Sequence, residues 1–188
     1  MDERKMSFGA RRALGIIGSI NAKLIKDSGL RESDSRSLRE QDRLILETVN
    51  GQRNARDVIS RSGLEFETGL HSVAWLIRTG FIYSTETARL ELERQTDRLS
   101  MFVELFSDSS HGQDFWQGYI DKHVTGKPIP GIVWDGLIPS IAESPPPPSE
   151  IKDYFIELFI SLYDEAEKIF GAESVIAKRI LLDVRPLA

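Results

Sequence analysis

Apolar residues recur along most of this chain at the three-and-four spacing of amphipathic helices. The clearest case is residues 151–170, whose apolar positions form one continuous face and predict a single long helix. Ser149 stands where an N-cap is expected, and Gly171 stands where the helix should end. A face of this kind usually packs in a core. The alternative is that its part from Tyr154 to Phe159 is an interface for oligomerisation or for a partner.

Short helices separated by turn residues are predicted over residues 38–84. The predicted elements are a helix over 38–49, a short helix over 55–62, a third helix over 65–79 and a strand over 81–83. Asn50-Gly51 is a turn dipeptide, Asn54 can cap the second helix, and Ser62-Gly63 separates it from the third. This order predicts a helix-turn-helix plan followed by a short β wing.

The first segment predicts one more helix, over about residues 8–27. Its apolar positions at helical spacing are Leu14, Ile17, Ile20, Leu24 and Ile25. Gly15 and Gly18 weaken this helix, and Gly29 would end it. The polar residues 30–37 then have the composition of a linker.

Beyond residue 85 the pattern is again mainly helical. We predict a helix over 86–107, a shorter one around Phe115 to Ile120, and a last one over 175–184. Residues 127–136 should be extended or turning, because Pro128 and Pro130 disfavour helix. The four prolines Pro145 to Pro148 predict a stiff spacer of polyproline type.

These elements predict a mainly α protein with three parts. They are a basic N-terminal helix or arm with its linker over 1–37, a winged-helix-like three-helix module with a short β wing over 38–85, and a helical C-terminal domain over 86–188 that contains a Pro-rich loop at 126–149. A chain of 188 residues with 40% hydrophobic content can bury such cores.

Charge is distributed unevenly along the chain. The whole carries a net charge of −5, whereas residues 1–31 hold seven basic and three acidic residues. A basic arm on an acidic body predicts contact with something acidic, which is a partner, a lipid surface or the body itself. The candidate contact residues in the arm are Arg11, Arg12, Ile17, Ile20 and Leu24. Such a segment can bind a membrane surface peripherally, although its apolar run of about ten residues is far below the roughly 20 that span a bilayer.

The residues that usually carry catalysis or bind metals are sparse. The sequence has no cysteine, which fits a reducing compartment, and we expect a soluble cytoplasmic protein. His71, His111 and His123 form no metal-binding motif, and no glycine-rich phosphate loop or nucleophile elbow occurs. The sequence therefore predicts a non-enzymatic protein without a cofactor or a metal.

Three large aromatic residues are candidates for binding a partner. Trp116, Tyr119 and Trp134 lie in or beside irregular, proline-rich chain. Core packing is the more common role of such residues, and two of them exposed together would form a protein-binding patch.

The helix predicted over 65–79 occupies the position of a DNA recognition helix. Its outward residues are predicted to be Glu65, Glu67, Thr68, His71, Ser72 and Arg78. Two carboxylates at the end that approaches the bases disfavour DNA, because readers of the major groove usually present Arg, Lys, Asn or Gln there. If the module does bind nucleic acid, the candidate residues are Arg53, Arg56, Arg61, His71 and Arg78.

A resemblance supports the modular prediction. Residues 44–64 followed by Leu76-Ile-Arg-Thr-Gly-Phe-Ile82 resemble the winged-helix module of uncharacterised bacterial regulatory proteins, often linked to response-receiver domains. Residues 99–106, 129–139 and 155–171 resemble the helical tail of the same proteins. We expect a regulatory or adaptor protein that acts through protein–protein interaction, with a signalling or cytoskeletal partner and a possible homo-oligomer. The alternative is a winged-helix transcription regulator that binds DNA.

Overall fold

Helices dominate the computed structural model, which describes residues 6–29, 38–142 and 144–184. These residues form eight helices and two small antiparallel sheets of two strands each, so the predicted mainly α class is confirmed. The chain divides between Ala88 and Arg89 into an N-terminal unit and a C-terminal unit, which are described separately below. The predicted linker over 30–37 lies outside the described residues.

The N-terminal unit contains four helices and two strands. In chain order they are α1 (Phe8–Ile17), β1 (Leu24–Lys26), α2 (Glu40–Thr48), α3 (Ala55–Ser62), α4 (Phe66–Arg78) and β2 (Ile82–Ser84). The three helices predicted over 38–79 and the strand predicted after them are confirmed to within about two residues at each end.

Local capping explains why these short helices begin and end as the sequence predicts. The Asn54 side chain accepts a hydrogen bond from the Asp57 amide at 2.8 Å and starts α3. Gly63 ends α3 in the left-handed conformation, with φ of 74°. The Glu65 carboxylate accepts from the Thr68 amide at 3.1 Å and caps α4.

The helix predicted over 8–27 is wrong in its second half. Helix α1 ends at Ile17 because Gly18 adopts a positive φ of 85°. The chain then turns and forms β1, which pairs with β2 so that Leu24 lies opposite Ser84 and Lys26 opposite Ile82.

The predicted β wing also differs from the structure. Strand β2 forms where a strand was predicted, but its partner β1 comes from the start of the chain. Ser84 is followed directly by helix α5 (Thr85–Phe106), so in the described part of the chain no second strand follows α4 to complete a hairpin.

Helix α1 packs on α4 and completes the core of this unit. Ala10, Ala13 and Ile17 of α1 are buried together with Leu70, Val73, Ala74 and Leu76 of α4. Helices α3 and α4 also approach closely at Gly69, where an added Cβ would stand 2.5 Å from Ile59 Cγ2.

The C-terminal unit is a second helical body. Its elements are most of α5, then α6 (Gln113–Gly126), β3 (Ile132–Asp135), β4 (Ile138–Ile141), α7 (Pro148–Phe170) and α8 (Ala172–Val184). The predictions of helices over 86–107, around 115–120, over 151–170 and over 175–184 are confirmed.

Residues 127–136, predicted to be extended or turning, contain β3, which forms a hairpin with β4 across Gly136 that the sequence analysis did not predict. The prediction for the proline run is wrong. The proline run is no solvated spacer, because Pro145 to Pro147 are buried and Pro148 is the first residue of α7, where a missing amide donor costs nothing. Ser149 therefore lies inside the helix and does not cap it.

Aromatic rings fill the centre of the C-terminal unit. Phe102 of α5 stacks on Phe106 at 4.5 Å between ring centres and meets Trp116 of α6 edge-on at 5.1 Å. Tyr163 of α7 meets Phe102 edge-on at 5.3 Å. Because such pairs add to the burial of their own large surfaces, this cluster fixes α5, α6 and α7 together.

We predict that β1 is a structural element whose loss destabilises the N-terminal unit. Leu24 is fully buried, so Leu24→Ala should lower the free energy of unfolding by about 2 to 5 kcal/mol. Chemical denaturation followed by circular dichroism measures this. Lys26→Ala, on the same strand but exposed, is the matched control and should change stability little. Equal effects of the two substitutions would contradict the assignment.

Candidate functional site

An exposed apolar groove of the C-terminal unit is formed by α5, α7 and α8. It has a volume of about 400 Å³. Ile156 and Ile160 of α7 and Ile176 of α8 line it and are 46%, 57% and 61% exposed. We call these three residues with their surroundings the isoleucine groove. Large aliphatic side chains exposed together in this way are typical of interaction surfaces.

Helix α7 presents two apolar faces, and only one of them is core. Phe155, Leu158 and Leu162 are fully buried, as the predicted continuous face requires. Ile156 and Ile160 follow them one or two positions later, which turns their side chains away from that core. The interface proposed for the part from Tyr154 to Phe159 is therefore not available, since this face packs inside the unit apart from the half-buried Tyr154.

Charged residues of both signs surround the isoleucine groove. The guanidinium of Arg98 lies 5.3 Å from the centre of the Phe159 ring, and that of Arg179 lies 5.2 Å from the Tyr163 ring. Asp164 and Glu167 of α7 supply carboxylates to the same lining. The groove thus has an aliphatic centre with two cations and two anions around it.

The three aromatic candidates do not form one exposed patch. Trp116 is fully buried and donates its indole N–H to the Phe106 carbonyl oxygen at 3.0 Å. Tyr119 is half-buried, and its hydroxyl lies 3.2 Å from the Ser161 carbonyl oxygen. Trp134 is half-buried, with its ring centre 5.8 Å from that of Phe155. Trp116 is therefore a core residue, which is the more common role of such aromatic side chains.

Two neighbouring side chains in this unit have perturbed pKa values without forming a site. Burial lowers the pKa of His123, with Lys127 adding to the effect, and burial raises the pKa of Tyr154. The two rings lie 5.8 Å apart. Among the described residues no group of three or more His, Asp or Glu side chains is arranged to hold a metal ion.

The arm candidates are split between the core and the surface of the N-terminal unit. Ile17 and Leu24 are fully buried and Ile20 is half-buried, so the apolar face predicted for a docking arm is not exposed. Arg11 and Arg12 of α1 are exposed.

The candidate nucleic-acid residues lie in different places. Arg53 donates to the Thr48 carbonyl oxygen at 2.8 Å, Arg61 lies at the end of α3, and Arg56 lines a small depression beside Phe66. His71 and Arg78 of α4 line one cleft together with Arg12 and Arg39. The sequence analysis did not predict that Arg12 and Arg39 lie beside His71 and Arg78.

Helix α1 occupies part of the surface that a recognition helix would need. The Ser7 amide and hydroxyl donate to the two carboxylate oxygens of Glu67 at 3.0 and 2.6 Å, which ties the start of α1 to the start of α4. Ser72, predicted to point outward, is fully buried. That prediction is wrong because the side of α4 that carries Ser72 faces Asp42 of α2.

No helix in residues 6–29, 38–142 and 144–184 is long and apolar enough to cross a bilayer.

We predict that the Ser7–Glu67 contact stabilises the N-terminal unit in a pH-dependent way. The donors of Ser7 hold the pKa of Glu67 below the ordinary glutamate value of 4.5. A depressed pKa in the folded state contributes stability above the unfolded value, and this contribution is lost as the pH falls through the folded value. Glu67→Gln should therefore be less stable than wild type at pH 7, and the gap should close on acidification below about pH 4.

Denaturation curves recorded between pH 7 and pH 3 measure that gap. Glu47→Gln, which removes an exposed carboxylate of α2, is the matched control and should leave the stability at pH 7 unchanged. A Glu67→Gln gap that stays constant over the whole range would contradict the role given to the Ser7–Glu67 contact.

Comparison of the chain with known protein families, curated proteins and solved structures gives no significant match. Its function therefore has to be inferred from the geometry of the two units.

Proposed function

We propose that this chain is a non-enzymatic regulatory or adaptor protein that acts through protein–protein contact, and that the isoleucine groove is its contact surface. The observation that carries the proposal is the exposure of Ile156, Ile160 and Ile176 along one groove. Burial of a large aliphatic side chain is worth about 1.5 to 3 kcal/mol when complete, so three half-exposed isoleucines can regain several kcal/mol on docking.

We propose that a second copy of this chain covers the groove. In a two-fold symmetric interface each surface meets itself, so an apolar centre meets an apolar centre and each cation can meet an anion of the other copy. The groove has both features, with Arg98 and Arg179 near Asp164 and Glu167. The C-terminal unit as a whole has 17 acidic against 10 basic residues, yet the lining of the groove is balanced, which limits repulsion at the contact.

The N-terminal unit supports a regulatory role of the kind implied by the resemblance to winged-helix modules. Helices α2 to α4, the tight turn at Gly63 and the strand β2 follow the order of that module. In this proposal β1 takes the place of a wing strand, and the protein acts in the cytoplasm, which the absence of cysteine permits.

DNA binding through α4 is the second candidate. It is favoured by one observation, the gathering of His71 and Arg78 with Arg12 and Arg39. It is disfavoured by Glu65 and by α1, which covers part of α4. Selection from a random-sequence DNA library at low salt tests it, and enrichment of one motif that is lost in His71→Ala or Arg61→Glu would favour DNA binding over the adaptor.

We predict that the 188-residue chain is a dimer whose interface is the isoleucine groove. Ile160→Glu would place a carboxylate against the aliphatic side chains of the other copy, and an unpaired buried charge costs several kcal/mol. The variant should therefore be monomeric at concentrations where wild type is dimeric. Size-exclusion chromatography with light scattering measures this.

Ile138→Glu is the matched control for the same substitution. Ile138 lies on β4, is 67% exposed and does not line the groove, so this variant should remain dimeric. A wild-type protein that stays monomeric at high concentration, or an Ile160→Glu variant that dimerises as well as wild type, would contradict the proposal.

A further inference from the structure

A second concave surface, in the N-terminal unit, carries several positive charges. It lies between α1 and α4 and has a volume of about 600 Å³, within the range typical of small-molecule sites. Three arginines and one histidine line it: Arg12, Arg39, His71 and Arg78. We call this surface the arginine cleft. Among its described lining residues none is acidic.

Small residues form the floor of the arginine cleft. Gly9 and Ala13 of α1 face Ala74 of α4, and a Cβ added at Gly9 would stand 3.0 Å from His71 Cε1. The two helices can therefore lie close together, with the long cationic side chains at the margin. Arg12 and Arg78 are exposed, and neither has a hydrogen bond or an ion pair to another described residue. Their donors are available to a ligand.

Arg39 is held in place by a buried carboxylate. Its Nε and Nη2 atoms donate to the two oxygens of Asp42 at 2.6 and 3.2 Å, and Asp42 is fully buried. The Ser72 hydroxyl donates to the same carboxylate. Burying a carboxylate is costly unless it is paired and hydrogen-bonded. Here that buried group orients one guanidinium at the edge of the cleft, while the Arg39 side chain remains 57% exposed and keeps further donors for a ligand.

The arginine cleft is suited to an anionic ligand, because its lining is positively charged and its tryptophan ring already packs against other side chains. Trp75 lines it, but its ring already stacks on Phe81 at 6.0 Å, and the Arg39 guanidinium lies 5.2 Å from the ring centre. Guanidinium groups match phosphate oxygens in paired, charge-assisted hydrogen bonds. Three guanidinium groups around one concave surface can bind more than one phosphate group.

We propose that the arginine cleft binds the oligophosphate group of a small phosphorylated molecule. This goes beyond the proposed adaptor function, since it gives the N-terminal unit a ligand of its own. A small molecule fits better than duplex DNA because the cleft is concave and Glu65 and Glu67 at the start of α4 would repel a phosphate backbone.

Isothermal titration of the 188-residue chain with sodium tripolyphosphate at low ionic strength tests the proposal. Wild type should bind one equivalent saturably. Arg12→Ser combined with Arg78→Ser should weaken binding by about tenfold or more, because it removes two of the three guanidinium groups that can donate charge-assisted hydrogen bonds to the phosphates. Both residues are exposed and have no partner among the described residues, so the variant should fold like wild type, which circular dichroism checks.

Arg11→Ser combined with Arg56→Ser is the matched control. It removes two exposed arginines of the same unit that do not line the cleft, and it should bind tripolyphosphate like wild type. The proposal is overturned if wild type shows no saturable binding, or if the control loses as much affinity as the cleft variant. It is also overturned if a short random-sequence DNA duplex binds more tightly than tripolyphosphate and loses its affinity in the cleft variant, since nucleic acid would then be the ligand.

Discussion

The segment over residues 20–27 pairs with neighbours on both of its sides, and the N-terminal unit depends on this pairing. On one side Leu24 donates its amide to the Arg53 carbonyl oxygen at 3.0 Å, and the Ala55 amide donates to the Ala22 carbonyl oxygen at 3.0 Å. On the other side β1 forms its antiparallel ladder with β2. Without this segment the backbone groups of both neighbours would need other partners, because buried amide and carbonyl groups are costly to leave unpaired.

The position of α1 follows from that pairing. The Ser84 hydroxyl donates to the carbonyl oxygen of Ile17 at 2.7 Å, so the end of α1 is fixed to β2 while its start is fixed to α4 through Ser7. A helix held at both ends covers one side of α4, and the basic residues at the margin of that contact form the arginine cleft. The same constraint thus covers one side of α4 and creates the cleft.

The sequence correctly predicted those helices whose ends are marked by residues next to them in the chain. Helix α3 was predicted because Asn54 and Gly63 mark its two ends. The second half of the helix predicted over 8–27 was wrong because Leu24 and Ile25 fit helical spacing equally well, and only pairing with distant residues makes them a strand. The hairpin of β3 and β4 was missed, although Asp135-Gly136 between two apolar runs is a known turn signal.

The candidate sites were harder to predict than the fold, since they combine residues far apart in the chain. Arg12 meets His71 and Arg78 through the packing of α1 on α4, and Arg39 joins them from the start of α2. One part of the isoleucine groove could have been predicted from the sequence. Ile156 and Ile160 lie off the main apolar face of α7, and a helix with apolar residues beyond one face has more than one surface to cover.

Disulfide trapping tests most directly the claim that the isoleucine groove contacts a second copy. The chain has no cysteine, so Ile156→Cys, Ile160→Cys and Ile176→Cys each introduce the single thiol of the protein. After mild oxidation at a concentration where wild type is dimeric, at least one of the three should form a covalent dimer, whereas Ile138→Cys should remain a monomer on a non-reducing gel. Covalent dimers that form as readily from Ile138→Cys, or from none of the three groove variants, would contradict the account.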